Sequence, residues 1–163
     1  MDDSMKPLPR GSETSLVLTH LMMPADANYM GNIHGGIIMK LIDEAAAACA
    51  YRFCRSNVAT AAIDRIDFHH PVQIGDLVRL RANVNYAGRT SMEVGVRVEA
   101  EDLLSGCVTH TNSAYVVFVA VNEGGRPIPV PPLVPTTDEK RAWRAAAEKR
   151  RLKRLEERQP ADD

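Results

Sequence analysis

Three long stretches in the middle of the chain alternate apolar and polar residues with a period of two. They span residues 77–86, 91–100 and 108–121, and turn residues separate them. Strict alternation over this length is typical of antiparallel strands that are covered on one face. Two β-branched and apolar runs, Ser15–Met22 and Val58–His70, predict two further strands.

A helical period replaces the alternation between the first two predicted strands. Ile37, Leu41, Ala45 and Ala48 follow helical spacing, and the pattern predicts a helix from Ile37 to about Cys54. Because apolar residues occur nearly all the way round, we expect this helix to be buried on most sides. One helix buried against an antiparallel sheet indicates a two-layer α+β fold.

The C-terminal part of the chain has a different character. A proline-rich connector occupies residues 122–137, and a second helix is predicted from Asp138 to about Arg158 with Thr137 as its N-cap. The predicted organisation is a flexible segment over 1–13, one folded domain over 14–122, and the connector with its helix over 123–163.

Composition and charge exclude several classes of protein. Twenty basic and 21 acidic residues leave a formal charge of −1, which argues against a globally basic nucleic-acid binder. No apolar run approaches the roughly 18 residues of a membrane span, and the N-terminus lacks the apolar core of a signal peptide. Three cysteines without a C-x-x-C pair argue against a disulfide scaffold or zinc site. We therefore expect a cytoplasmic protein that binds neither membrane nor nucleic acid.

The near-neutral total conceals one local concentration of charge. Eight basic residues lie between Lys140 and Arg154, against a single acid, Glu148. Such a run usually forms a solvated helix face, and the alternative is contact with a polyanion such as the phosphates of a ligand.

A glycine-rich loop precedes the buried helix and is the first candidate for chemistry. In Gly31-Asn32-Ile33-His34-Gly35-Gly36, the glycines allow the backbone to approach a ligand closely. The first N–H groups of a helix lack internal partners and lie at the positive end of its dipole. The loop therefore predicts a donor site for a carbonyl or phosphate oxygen, and a merely flexible loop is the alternative.

A carboxylate on the apolar helix is the second candidate. Asp43 lies seven residues, or two helical turns, after Gly36 and therefore on the same face, about 10 Å along the axis. A buried carboxylate is costly unless it is paired or functional. Alternatively, Asp43 and Glu44 mark a solvent-facing stripe that includes Lys40. Asn28, in an Asp-Ala-Asn turn, is by itself a typical turn residue.

Other catalytic patterns are missing from the sequence. The five histidines show no metal-binding spacing, so no metal site is expected. Neither Ser91 nor Cys49 has an identifiable base partner, which argues against a triad-type nucleophile.

The segment from Asn28 to Ala45, with G-N-I-H-G-G followed by D-E, resembles the acyl-CoA thioesterases of the hotdog fold. The resemblance is strongest to their cytosolic acyl-CoA hydrolase branch. It continues through residues 63–69, 89–94 and 133–136 and covers about residues 14 to 155. It implies a sheet of about five strands wrapped around one long helix, with 14–122 as the hotdog domain. It also implies hydrolysis of fatty acyl-CoA to a free fatty acid and CoA.

The resemblance further implies a site that is shared between two hotdog units. Asn28 and Asp43 match the family's catalytic pair, which two different units contribute. A homodimer would therefore hold two equivalent sites, each with Asn28 of one chain and Asp43 of the other, assembled further to a hexamer or tetramer. No cofactor is expected, because coenzyme A is part of the substrate and a product.

The remaining expected roles concern the substrate. The loop residues His34, Gly35 and Gly36 are expected to bind the thioester oxygen through the N–H of Gly35 or Gly36. The turn residues Arg89, Thr90 and Ser91 are expected to bind CoA, and the basic C-terminal helix is a weaker choice. Alternative functions are a hydratase or dehydratase acting on acyl thioesters, a non-catalytic acyl-CoA sensor, and nucleic-acid binding through the C-terminal helix.

Overall fold

The computed structural model describes residues 7–158 and contains one antiparallel sheet, two long helices and a single turn of 3-10 helix at Pro24–Asp26. The strands and helices, in chain order, are β1 Ser15–Leu21, α1 Gly35–Cys54, β2 Asn57–Ile63, β3 Asp67–Phe68, β4 Leu77–Ala87, β5 Ser91–Glu101, β6 Val108–Val121 and α2 Asp138–Glu157. The α+β architecture expected from the sequence, an antiparallel sheet with one long helix and a C-terminal helix, is confirmed.

The sheet has the order β1-β4-β5-β6-β2, with β3 also paired to β6. Only β4, β5 and β6 form a meander, because β2 crosses to the far side of β6 rather than lying next to β4. The prediction of one strand over Val58–His70 is wrong. Ile63 pairs with Val116 and Asp67 with Ser113. The chain therefore advances four residues from Ile63 to Asp67 while β6 advances only three. The extra residue leaves the ladder and divides the run into β2 and β3.

The helix α1 packs against one face of the sheet and supplies much of the core. Its small residues Ala45, Ala46, Cys49 and Ala50 are fully buried, which allows the sheet to approach the helix closely. The inward-facing valines of β5 and the alternating apolar residues of β6 complete this layer.

The helix begins at Gly35, two residues before the predicted start at Ile37. His34 is extended and acts as its N-cap, since its Nδ1 accepts a hydrogen bond from the N–H of Gly36 at 3.1 Å. At the other end, Arg55 adopts a left-handed conformation with φ of 49° and ends the helix.

The second helix covers part of the opposite face of the sheet, which the alternation pattern assigned to solvent. Glu93 points to this outer face and is only 1% exposed. The predicted N-cap is confirmed, because Thr137 Oγ1 accepts from the N–H of Lys140 at 3.1 Å. Ala147 is the buried residue of α2. Because one alanine buries little apolar surface, polar contacts must contribute to the docking of this helix.

The ends of the chain are described only in part. Within the predicted N-terminal segment, Arg10 Nε donates to the carbonyl of Cys54 at 2.7 Å. The N–H of Gly11 donates to the carbonyl of Phe53 at 2.8 Å. Residues 1–6 and 159–163 lie outside the described residues, and the flexibility of 1–13 and the domain boundaries stay predictions. No helix between residues 7 and 158 is both long and apolar enough to cross a membrane.

Candidate active site

The first turn of α1 presents one backbone donor without an acceptor. The N–H of Gly36 is taken by His34 Nδ1, and the N–H groups of Ile37 and Ile38 donate to the carbonyl of His34 at 2.9 and 3.4 Å. Within residues 7–158, the N–H of Gly35 has no hydrogen-bond acceptor. Of the two donors that the sequence suggested, Gly35 is therefore the free one, at the positive end of the helix dipole.

Asn28 lies in the loop before α1 and combines a structural contact with a free group. Its Oδ1 accepts from the N–H of Met30 at 2.9 Å, and its carbonyl accepts from the N–H of Gly31 at 3.1 Å. Gly31 has a φ of 89°, a conformation that favours glycine. The carboxamide oxygen of Asn28 therefore fixes the turn, and its Nδ2 group has no acceptor within the described chain.

Asp43 is half-buried on α1 and has no cationic partner within residues 7–158. Its Oδ1 accepts a hydrogen bond from Thr60 Oγ1 at 3.4 Å. The neighbouring Glu44 instead pairs with Lys40 at 3.7 Å, so the solvent-facing stripe considered as the alternative includes these two residues but not Asp43. Asp43 therefore differs from Glu44, because its charge is not balanced within the part of the chain that is described.

Thr60 is a site residue that the sequence analysis missed. It lies on β2 and pairs with Phe118 of β6. A threonine within an apolar strand gives no signal by itself. Only the placement of β2 beside α1 shows that its hydroxyl meets Asp43.

Asn28 and Asp43 do not contact each other through a hydrogen bond within the described chain. Asn28 precedes the helix, while Asp43 lies more than two turns into it. This arrangement is compatible with their use in two different copies of the site.

The turn at Arg89, Thr90 and Ser91 is distant from the N-terminus of α1. Ser91 pairs with Val119 of β6, whereas Phe68, whose ring lies beside Gly35, pairs with Asn112. Seven residues of strand separate these two positions on β6, which corresponds to about 23 Å. The structure therefore does not bring the predicted CoA-binding turn together with Gly35 in one chain.

Backbone contacts hold this turn against its neighbours. The carbonyls of Arg89 and Thr90 accept from the N–H groups of Val130 and Ala120, each at 2.9 Å. The Arg89 side chain is exposed and has no carboxylate partner between residues 7 and 158. Its guanidinium is therefore available to an external anion.

Two of the basic residues of α2 have partners on the sheet. Arg150 Nη2 lies 2.7 Å from Glu93 Oε1, and the Arg150 guanidinium stacks 3.6 Å above the Tyr115 ring. Arg154 pairs with both Asp64 and Glu93. Burial lowers the pKa of Arg150, but the hydrogen bond and charge of Glu93, together with Tyr115 and Asp64, raise it above its ordinary value. These two arginines therefore dock α2, and they are not free for a polyanion.

Neither the buried cysteine Cys49 nor a metal centre offers an alternative catalytic group within residues 7–158. Burial raises the pKa of the Cys49 thiol to about 12, so it is a poor nucleophile. Among the described residues, no group of three or more histidine, cysteine, aspartate or glutamate side chains is arranged to hold a metal ion.

Comparison with known proteins identifies the family. A sequence profile of the thioesterase superfamily matches residues 30–107. The chain is 36% identical to the cytosolic acyl coenzyme A thioester hydrolase of Rattus norvegicus over 132 residues, which cover 80% of this chain and 34% of the relative.

Two solved structures are similar over nearly the whole chain. A crystal structure of an apo-hexameric acyl-CoA thioesterase is 37% identical, with a TM-score of 0.88 over 94% of this chain and 98% of that one. The acyl-CoA hydrolase of Staphylococcus aureus, in complex with butyryl coenzyme A, coenzyme A and coenzyme A disulfide, is 32% identical. Its TM-score is 0.81, over 94% of this chain and 96% of that one. The chain therefore belongs to the thioesterase superfamily of hotdog-fold proteins, as the resemblance in its loop and helix predicted.

Proposed function

We propose that this protein hydrolyses fatty acyl-CoA to a free fatty acid and CoA. The observation that carries the proposal is that α1 provides a free N–H at Gly35 and an unpaired carboxylate at Asp43. The two lie about 12 Å apart along one helix, so Gly35 of one chain and Asp43 of a second copy act on the same thioester. A hydrogen-bond donor for the thioester oxygen and a water activated by a carboxylate are the two requirements of thioester hydrolysis. The acyl-CoA hydrolases among the relatives support this assignment.

The chemistry needs little beyond these groups. The N–H of Gly35 holds the thioester oxygen and stabilises the negative charge that develops on it in the transition state. Asp43 acts either as a general base on water or as a nucleophile, and the Thr60 hydroxyl holds one of its oxygens. The free Nδ2 group of Asn28 orients the water or the thioester. The leaving thiolate is stable enough to depart without metal assistance.

A homodimer completes the site in this proposal. Asn28 of one chain and Asp43 of the other are combined, which agrees with the lack of contact between them in a single chain. The strand β2 ends the sheet order and offers an edge for a second copy. A further assembly to a hexamer is supported by the hexameric relative.

Release of free thiol tests the proposed reaction. A panel of saturated acyl-CoA substrates of different chain lengths is incubated with the protein, and the released CoA is measured with a thiol reagent. We expect turnover with one or more of them. A hydratase or dehydratase would release no thiol from a saturated acyl-CoA, and a sensor would bind the substrate without turnover, so either result would contradict the proposal.

The location and the cofactor requirement follow from the same proposal. We place the protein in the cytoplasm, supported by the rat relative that is described as cytosolic. The proposed mechanism uses only side chains and backbone groups. Dialysis against a chelator is therefore expected to leave the rate of thiol release unchanged, and a loss that added metal restores would contradict this mechanism.

The exposed guanidinium of Arg89 provides a prediction about CoA binding. If it contacts the CoA phosphates, Arg89→Glu raises KM about tenfold or more and changes kcat much less, because the phosphates lie far from the reacting carbon. Steady-state kinetics of thiol release measure both values. Lys149→Glu, at an exposed position of α2, tests the basic helix, the weaker candidate for CoA binding, in the same assay. An unchanged KM for Arg89→Glu would remove this residue from the site.

A further inference from the structure

Phe68 lies directly beside the free donor of α1. A Cβ atom placed on Gly35 would lie 3.6 Å from the Phe68 ring. The side chain is nevertheless 54% exposed, which is unusual for a phenylalanine. A carbonyl group held by the N–H of Gly35 would therefore have this ring as an apolar neighbour.

The short strand β3 holds the ring in this position. Phe68 pairs with Asn112 of β6, and the N–H of His69 donates to the carbonyl of Thr111 at 2.8 Å. The fully buried side chain of Asn112 donates from Nδ2 to the carbonyl of Asp67 at 3.2 Å. Its Oδ1 is buried without a partner among residues 7–158, and such a group lowers stability. The Asn112 side chain thus helps to hold β3 against β6.

A second apolar side chain lies on the helix side of the same donor. Met39 is one turn after Gly35 and one turn before Asp43, on the same helix face, and is 44% exposed. Phe68 and Met39, here called the apolar flank, therefore both lie near the oxygen-binding N–H of Gly35.

We propose that Phe68 is a specificity-determining residue that contacts the acyl chain of the substrate next to its thioester carbonyl. The inference rests on the proposed function and identifies the acyl chain as the part of the substrate that contacts the apolar flank. The first carbons of the acyl chain are covalently attached to the carbonyl carbon, so they must pass close to any side chain that touches Gly35. Each methylene buried against the ring improves kcat/KM about fourfold, while a two-carbon acyl group gains little.

Chain-length profiles of Phe68 variants test the inference. We expect Phe68→Ala to lower the ratio of kcat/KM for long over short acyl-CoA about tenfold or more, with Phe68→Leu between this variant and the wild type. Leu152→Ala is the matched control, because Leu152 is 56% exposed on α2, which covers the opposite face of the sheet from α1. This variant is expected to keep the wild-type profile.

Each outcome separates the inference from the proposed function. A Phe68→Ala protein with an unchanged chain-length ratio overturns the inference. An equal loss of kcat/KM for all acyl chain lengths, together with an altered assembly in size-exclusion chromatography, assigns the Phe68 ring to a contact between copies of the protein. That result also overturns the inference. If the wild type releases no thiol from any acyl-CoA, the proposed function itself fails.

Discussion

Asp43→Asn is expected to lower kcat for thiol release by about 10²- to 10⁴-fold, the usual contribution of a positioned general base. Asparagine keeps the size of the side chain and an oxygen that can accept from Thr60 Oγ1. It removes the negative charge that activates water or attacks the carbonyl. Since Gly35 and the CoA-binding residues are untouched, KM should change much less than kcat. The thiol-release assay measures both.

The adjacent residue supplies the matched control for this prediction. Glu44 is exposed, belongs to the same helical turn and pairs with Lys40 rather than with Thr60. Glu44→Gln should retain nearly the wild-type rate. A folded Asp43→Asn protein with wild-type kcat would show that this carboxylate takes no part in the reaction.

Local patterns were sufficient to predict the helix and the long strands. Alternation in β4, β5 and β6 and the helical period of α1 both follow from which face of each element is buried. The start of α1 was missed because a histidine caps it. Serine, threonine, aspartate and asparagine are the residues that usually indicate an N-cap. A histidine is not among them, so the hydrogen bond from the N–H of Gly36 to His34 Nδ1 could not be predicted.

Pairing between distant segments could not be predicted in the same way. The alternation in a strand does not say which strand lies next to it, so the position of β2 on the far side of β6 was not foreseen. The contact between Thr60 and Asp43 depends on that position. The position of Phe68 beside Gly35 likewise depends on the extra residue that separates β2 from β3.

On the outer face of the sheet, prediction from the sequence failed for a different reason. A glutamate at an alternating position of β5 and a basic helix both indicate solvent when each is considered alone. In the structure they bury each other, because Arg150 and Arg154 meet the nearly inaccessible Glu93 carboxylate. Charge complementarity between segments 57 residues apart is not visible as a local pattern.

This buried ion pair leads to the largest stability effect that we expect. Arg150→Ala should lower the free energy of unfolding by about 3 kcal/mol, because it leaves the Glu93 carboxylate buried with only part of its compensation. Arg154 remains 3.3 Å from Glu93 Oε2 and limits the loss. Urea unfolding followed by circular dichroism measures the change. Lys149→Ala, at an exposed neighbouring position, should stay within about 0.5 kcal/mol of the wild type.

Removal of both charges distinguishes the buried pair from simple packing of α2. In the double variant Glu93→Leu with Arg150→Leu, no carboxylate remains buried at this position, and apolar side chains fill much of the same space. Such replacements of buried pairs are often neutral or stabilising, so the double variant should recover most of the stability that Arg150→Ala loses. If it is as unstable as Arg150→Ala, the loss comes from the arginine's packing over Tyr115 rather than from an uncompensated charge at Glu93.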